Sequence, residues 1–376
     1  MIKRRILAVV MAACASLEGQ ADDFSDRIDT LFNNLIAEDE PGCSVGVIES
    51  GQLIYQAGYG LANMENQVPM TGHNVHRMAS VSKQFTAMAV HLLADEGKID
   101  LDADIRTYLP GLRDYSETVT VNAMLGHVSG MVNDSGDDYE FWTSTTGGDE
   151  LVLESAFGGP FLFNQNFSID EYFRYIQKLP LRYSPNEKFH YSNIAYFLLA
   201  MLVEEVSGQS LRDYADRKIF KPLGMSNTMF LDSPRPIIDG RVTGYNMIGR
   251  DYVRDDANVY TVGAGGLYTT VNDMLKWDRH FYQPQLGFDP ESLIRQFNQP
   301  NSALKKYGRL YANGQMVTER HGESVYLHHG GFFGTRTYYG RYSDADFSIM
   351  VFCNDASRNA GDYAKAIEQY YFYPNN

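Results

Sequence analysis

Three short spacings in this chain gather residue types able to carry nucleophilic chemistry. Ser80 and Lys83, within Ala79-Ser80-Val81-Ser82-Lys83, are three residues apart and so share one face of a helix. A serine hydroxyl is a weak nucleophile until a neighbouring base or cation activates it. A helix N-terminus beside Ser80 adds unpaired N–H groups and the positive end of the helix dipole. Tyr191-Ser192-Asn193 opens a second, apolar helical run, and a tyrosine set among cations can have its pKa lowered far enough to act as a base. His328-His329-Gly330-Gly331 closes a strand-like run. Glycines there admit a substrate to the N–H groups of a strand edge. Each pattern alone is weak. Ser302–Lys305 repeats the first spacing, and Tyr311–Asn313 and Tyr373–Asn375 repeat the second. A glycine pair after a strand equally marks a bulge or a turn.

Other chemistries find less support. No glycine-rich nucleotide loop stands between a strand and a helix, and His-Glu-x-x-His and paired Cys-x-x-Cys are missing. His328 and His329 are adjacent, and on a strand they point to opposite faces. No metal and no cofactor are therefore expected.

The elements that would position these residues follow from periodicity. Phe24, Ile28, Leu31, Phe32, Leu35 and Ile36 predict a helix that Pro41-Gly42 stops. Cys43–Glu49 and Gln52–Gly60, parted by Ser50-Gly51, predict a hairpin. Helices are expected at about Ser82–Glu96, Tyr172–Gln177, Ile194–Val206, Leu211–Phe220, Thr270–Phe281 and Ala360–Tyr371. Late strands are expected at Leu267–Thr270, Leu310–Val317, Val325–His328, Thr335–Tyr342 and Phe347–Cys353. The order of strands, many helices, strands and a last helix predicts an α+β fold. In it an antiparallel sheet is built from both chain ends, flanked by helices, with a mostly helical insertion. Residues 22–79 and 231–376 would form the sheet domain and 80–230 the helical one, with the active site between them. The aperiodic stretch 133–166, rich in Gly, Asp, Thr and Phe, reads as a lid or binding loop.

Composition narrows the class of partner. The 376 residues carry a net charge of −15 with 44% hydrophobic residues. That is ordinary globular usage with a surface that repels phosphate backbones, so nucleic-acid binding is excluded. No apolar run after the first 20 residues reaches the ~18 needed to cross a bilayer. Lys3, Arg4 and Arg5, the apolar run 6–14 and Gly19-Gln20-Ala21 read as a secretory signal over residues 1–21. A periplasmic or secreted protein is expected, with a lipoprotein acylated at Cys14 as the alternative. Cys43 and Cys353 are then the mature chain's cysteines, too few for a small-domain disulfide framework.

Taken together and in order, the motifs resemble those of the penicillin-binding-protein-like serine hydrolases. The likeness is to the class C β-lactamase-type branch, which also holds DD-peptidases, D-aminopeptidases and esterases. Its Ser-x-x-Lys is matched by Ser80–Lys83, its Tyr-x-Asn by Tyr191–Asn193, and its Lys/His-x-Gly by His328–Gly330. Gly58-Tyr59-Gly60, Leu125–Gly130, Pro222–Met225, Gly263–Leu267 and Asp273 agree as well, from about residue 24 to the C-terminus.

The resemblance implies an acyl-enzyme on Ser80 with Lys83 as its partner and Tyr191 as general base. Asn193 would bond Lys83 and substrate, His328 and Gly330 would line the substrate, and the N–H groups of Ser80 and Gly331 would hold the oxyanion. Small esters or D-amino-acid-containing peptides, cell-wall fragments among them, are the expected substrates. A weak class C-like β-lactamase and a slowly deacylating penicillin-binding or sensor protein are the alternatives. His328 stands where β-lactamases of this type carry lysine, and a change in activity between about pH 5.5 and 7.5 is expected if its charge matters. Asn186 replaces the usual glycine after Pro185 and is expected to hold a left-handed turn. The resemblance also makes the first and last strands neighbours, so Cys43 and Cys353 would form either a cross-strand disulfide or a close thiol pair.

Overall fold

Strands from the two ends of the chain pair into one antiparallel sheet. The computed structural model describes residues 23–134, 138, 153–154, 160–161, 169–256, 259–307 and 310–375. Helix α1 (23–35) leads into the hairpin β1 (Cys43–Glu49) and β2 (Gln52–Tyr59). Further on come α2 (Lys83–Asp95), α3 (Val121–Leu125), α4 (Asn193–Ser207) and α5 (Val271–Tyr282). The chain then returns through β3 (Leu310–Ala312), β4 (Gln315–Arg320), β5 (Glu323–Phe332), β6 (Thr335–Tyr342) and β7 (Phe347–Cys353), and ends in α6 (Ala360–Phe372). The strand order is β3-β4-β5-β6-β7-β1-β2, so the first strand closes against the last. The expected signal peptide, Cys14 and nearly all of the expected lid lie outside the described residues.

The sheet is covered on both faces, and period-two alternation sorts its side chains. Phe347, Ile349, Val351 and Cys353 of β7 join Val45 and Val47 of β1 in a cluster with Ile28 and Phe32 of α1 and Ala360, Ala364 and Ile367 of α6. The intervening Met350 and Phe352 enter the larger cluster formed with α2, α4 and α5. That is why β7 is buried at every position. Cys43 and Cys353 are direct cross-strand partners and form a disulfide, with Cα atoms 4.0 Å apart. Of the two arrangements left open, the bonded one is present.

Local chemistry sets the helix ends. Ser192 caps α4 through Ala195 N–H, and Gly208, with φ 69°, ends it in the left-handed region. Thr270 and Asn359 cap α5 and α6. Asn186 has φ 63°, the left-handed turn expected of it.

Two expectations need correction. Leu310–Val317 is a hairpin, β3–β4, rather than one strand. Asn313 and Gly314 have φ of 48° and 89°, the positive pair that a tight two-residue turn demands and that Asn-Gly supplies at little cost. The strand at His328 does not stop there but runs through Phe332, with Gly330 and Gly331 still in register with Thr337 and Arg336. Glycine is required at 330 because the space beside it is taken: a Cβ there would lie 2.5 Å from the Met78 carbonyl oxygen. The short helices Val121–Leu125 and Pro290–Phe297 carry too few turns to stand out as periodicity.

Candidate active site

The missing side chain at Gly330 lets β5 press against the turn that holds Ser80. Thr337 on β6 donates to the same Met78 carbonyl at 3.0 Å. Ala79 is forced to φ 46°, a conformation that costs a non-glycine residue about 1–2 kcal/mol. The single 3-10 turn Ala79–Ser82 then feeds directly into α2, so Ser80 sits at its positive end. Ser82 Oγ, at the end of that turn, accepts from Leu267 N–H at 3.1 Å, and Thr86 of α2 donates to the Gly263 carbonyl at 2.8 Å. Those two bonds pin residues 263–267 and bring the Ala264 carbonyl to Lys83.

Lys83 Nζ is the hub. It lies 3.2 Å from Ser80 Oγ, 2.7 Å from Asn193 Oδ1 and 2.8 Å from the Ala264 carbonyl oxygen. Its side chain is fully buried, and that burial brings its pKa down to about 7 against the pull of Asp134. Two of the three neighbours, a side-chain and a backbone carbonyl, can only accept. A neutral amine with two N–H groups satisfies both and leaves its lone pair facing Ser80.

Asn193, the first residue of α4, is held at both ends of its amide. Its Nδ2 donates to Asp134 Oδ1 at 2.8 Å, and its backbone N–H donates to Asn133 Oδ1 at 2.9 Å. Asp134 is buried, which pushes its carboxyl up against the opposing effects of Asn193 and the Lys83 charge. Nothing near Asp134 in sequence marks it as a partner of Lys83; it falls at the edge of the aperiodic stretch.

Tyr191 joins the group through its ring, which lies 4.7 Å from Lys83 Nζ. The expected depression of its pKa does not occur. Burial raises it, the Asp134 charge acts in the same direction, and the nearby Ser80 hydroxyl does not offset them. His127 packs 4.3 Å from the Tyr191 ring and takes the Ser192 N–H on Nδ1 at 3.2 Å. His127 stood among the sequence landmarks without a role.

His328 also departs from expectation. Its Nδ1 meets the His329 carbonyl oxygen at 2.6 Å, which requires a proton on Nδ1. Nε2 is then bare and accepts from Tyr311 OH at 3.1 Å. Burial, with Lys83 nearby, drops its pKa to about 3. His328 stays neutral across pH 5.5–7.5, so a pH effect in that window belongs to Lys83. Tyr311 reaches His328 because β3 folds back along β4, a contact hidden until the Asn313-Gly314 hairpin is recognised. His329 faces the other way, with its ring 5.1 Å from Tyr338.

The open side of this cluster is a pocket whose lining includes Arg77, Ser80, Tyr172, Phe197, Gly331 and Phe332. The structure thus brings Ser80, Lys83, Tyr191 and Asn193 together, with Gly331 on the same pocket and Gly330 packed beneath the Ser80 turn. His328 meets the group through its ring, 6.1 Å from that of Tyr191. Among the described residues no three His, Cys, Asp or Glu side chains form a metal-binding group.

Comparison with known proteins bears on the family and the fold. A D-aminopeptidase of Gluconobacter oxydans is 26% identical over 339 residues, covering 90% of this chain and 60% of its own length. Penicillin-binding protein 4* of Bacillus subtilis is 26% identical over 344 residues, covering 87% of this chain and 71% of that protein. The chain thus spans about three-fifths of the D-aminopeptidase. An octameric penicillin-binding protein homologue from Pyrococcus abyssi shares the fold, with a TM-score of 0.77 at 24% identity, over 93% of this chain and 78% of that one. A family model described as Beta-lactamase matches residues 28–370. A match of that extent places the chain in the beta-lactamase family of serine hydrolases.

Proposed function

We propose that the protein is an exported serine hydrolase that forms an acyl-enzyme on Ser80 and acts on small esters or D-amino-acid-containing peptides. The observation that carries this reading is the Lys83 amine, desolvated, held by two carbonyl acceptors and set 3.2 Å from Ser80 Oγ. Neutral Lys83 takes the Ser80 proton as Oγ attacks the substrate carbonyl carbon. The Lys83–Tyr191 pair returns a proton to the departing alcohol or amine. Water then attacks the ester on Ser80, gives its proton to the same pair and releases the acid with Ser80 restored. The N–H groups of Ser80 and Gly331 would hold the oxyanion, where losing one donor typically costs ~10²–10³ in rate. In this scheme Tyr191 acts as a phenol that hands on a proton, and Lys83 is the base.

The D-aminopeptidase relative supports the peptide substrate, and the apolar Phe197, Val262 and Phe332 in the pocket suit either acyl group. Export is supported by the basic and apolar start of the sequence and by a disulfide that joins distant parts of the chain.

Intact mass after brief mixing with an activated acyl ester, and separately with a penicillin, tests this reading with wild type beside Ser80→Ala. A Ser80-dependent adduct, or ester loss reduced at least ~10⁴-fold in Ser80→Ala, is expected. Full activity in Ser80→Ala would end the mechanism. A penicillin adduct that persists while the ester turns over would mark slow deacylation of β-lactams.

A further inference from the structure

Arg77 precedes Ser80 by three residues and lines the same pocket. Its side chain is only 6% exposed. A guanidinium carries five N–H donors, yet among the described residues one bond to protein is made, from Nη2 to the Val259 carbonyl at 3.2 Å. Its Nε has no hydrogen-bond partner among the described residues. The guanidinium rests 5.1 Å from the Phe332 ring and 5.4 Å from the Tyr268 ring. Arg241, on the same Tyr268 ring, is paired with Asp256 at 3.0 Å, whereas no carboxylate among the described residues pairs with Arg77. Among the described residues the lining of the pocket includes no Asp or Glu.

A buried cation without a counter-charge is costly, and aromatic faces offset only part of that cost. Nε is closed off from solvent, so the donors that a ligand in the shared pocket could complete are those left on the terminal guanidinium nitrogens. Guanidinium geometry matches a carboxylate through two parallel N–H bonds. The rest of the molecule, at net charge −15, repels anions, so a local cation would have to hold one.

We propose that Arg77 binds a carboxylate of the substrate, so that the preferred substrate carries a free acid group near the scissile carbonyl and not a free amine. The proposal rests on the acyl-enzyme reading above and adds to it the charge of the substrate. It also moves anion recognition away from His328, which is neutral and bonded to Tyr311.

Binding without turnover isolates the claim. Ser80→Ala protein is titrated calorimetrically with monomethyl glutarate and with dimethyl glutarate, which differ in one free acid. The half-ester is expected to bind at least tenfold more tightly, an advantage that shrinks with added salt and disappears in Ser80→Ala/Arg77→Met. Equal or undetectable binding of both esters, or an advantage that survives Arg77→Met, overturns the proposal. If Arg77→Met does not fold, Arg77→Lys replaces it and is expected to keep the charge preference but lose at least threefold of it. An unchanged preference in Arg77→Lys that also ignores salt overturns the proposal. In wild type, p-nitrophenyl hydrogen glutarate should have a kcat/KM at least tenfold above its methyl-capped diester. Equal turnover of the two sinks the role of Arg77 and leaves the hydrolase standing. Failure of both to acylate Ser80 sinks the hydrolase reading, and the calorimetry still decides Arg77.

Discussion

The two faces of the seven-stranded sheet spend burial on different ends. Toward α1 and α6 the contacts are apolar and aromatic. Phe347 stacks on Tyr371 at 3.7 Å, Phe32 stacks on Tyr59 at 4.8 Å, and the Cys43–Cys353 disulfide crosses β1 and β7. Toward α2 and α4 the sheet instead presses on an amine, an imidazole and a carboxyl: Lys83, His328 and Asp134 are all buried. Burial stabilises the first face directly. On the second it costs stability, because each ionisable group must give up solvent or charge. The site's reactivity and its instability have one cause, desolvation, and the apolar clusters on both sides of the sheet supply the margin.

Lys83→Met breaks this comparison most sharply. Catalysis should fall by roughly 10³-fold or more with the loss of the base, while the folded state gains about 1–3 kcal/mol in urea unfolding at pH 6. The sign follows from linkage. Lys83 titrates near 7 when folded and near 10.4 when unfolded, so the unfolded chain binds more protons between those values and stability rises with pH across them. Below pH 7 the full penalty of burying an ammonium is present, and that is where its removal helps. A destabilised Lys83→Met at pH 6 would show that its three hydrogen bonds outweigh desolvation.

Opening the disulfide tests the other face. Cys43→Ala/Cys353→Ala closes no loop of the 310 residues that separate the pair, and should lose about 2–5 kcal/mol. Specific activity of the folded fraction at 20 °C should change by less than about twofold. A catalytic loss as large as the stability loss would couple the faces and undo the distinction drawn here.

The pH profile carries the smallest effect. In wild type, kcat/KM for a neutral ester should rise with pH and reach half its plateau near 7, as Lys83 loses its proton. His328, held to about 3 by burial, contributes nothing to that limb, so His328→Asn should leave its midpoint within about 0.3 pH of wild type. A midpoint that moves with His328 would assign the titration to the imidazole and leave Lys83 charged throughout.

Much of the architecture was legible because repeating patterns survive in one dimension. The β1 hairpin, α2, α4, α5, β6, β7 and α6 fall within a residue or two of their expected ends. The β3–β4 hairpin was missed although Asn313-Gly314 signals it, since the apolar run around it reads as one continuous strand. Ser80 with Lys83 was legible as a shared helix face, but the same spacing at Ser302–Lys305 left it to the resemblance to single the pair out. Tyr191 and Asn193 needed the resemblance to single them out among 26 tyrosines. Asp134 and Tyr311 were not singled out at all. They reach Asn193 and His328 through the path of the chain, and that path has no local signature.

The sequence by itself determined which atoms are available: a hydroxyl and an amine one helical turn apart, glycines where backbone must approach backbone, and strand-forming runs at both ends of the chain. Tertiary structure alone decided their chemical state. Lys83 titrates near 7, Tyr191 keeps its proton, His328 is fixed as one tautomer, and Arg77 is left without a carboxylate among the described residues. Each of those states is set by solvent removed and dipoles supplied by residues far away in the chain, and only the folded molecule puts those in place.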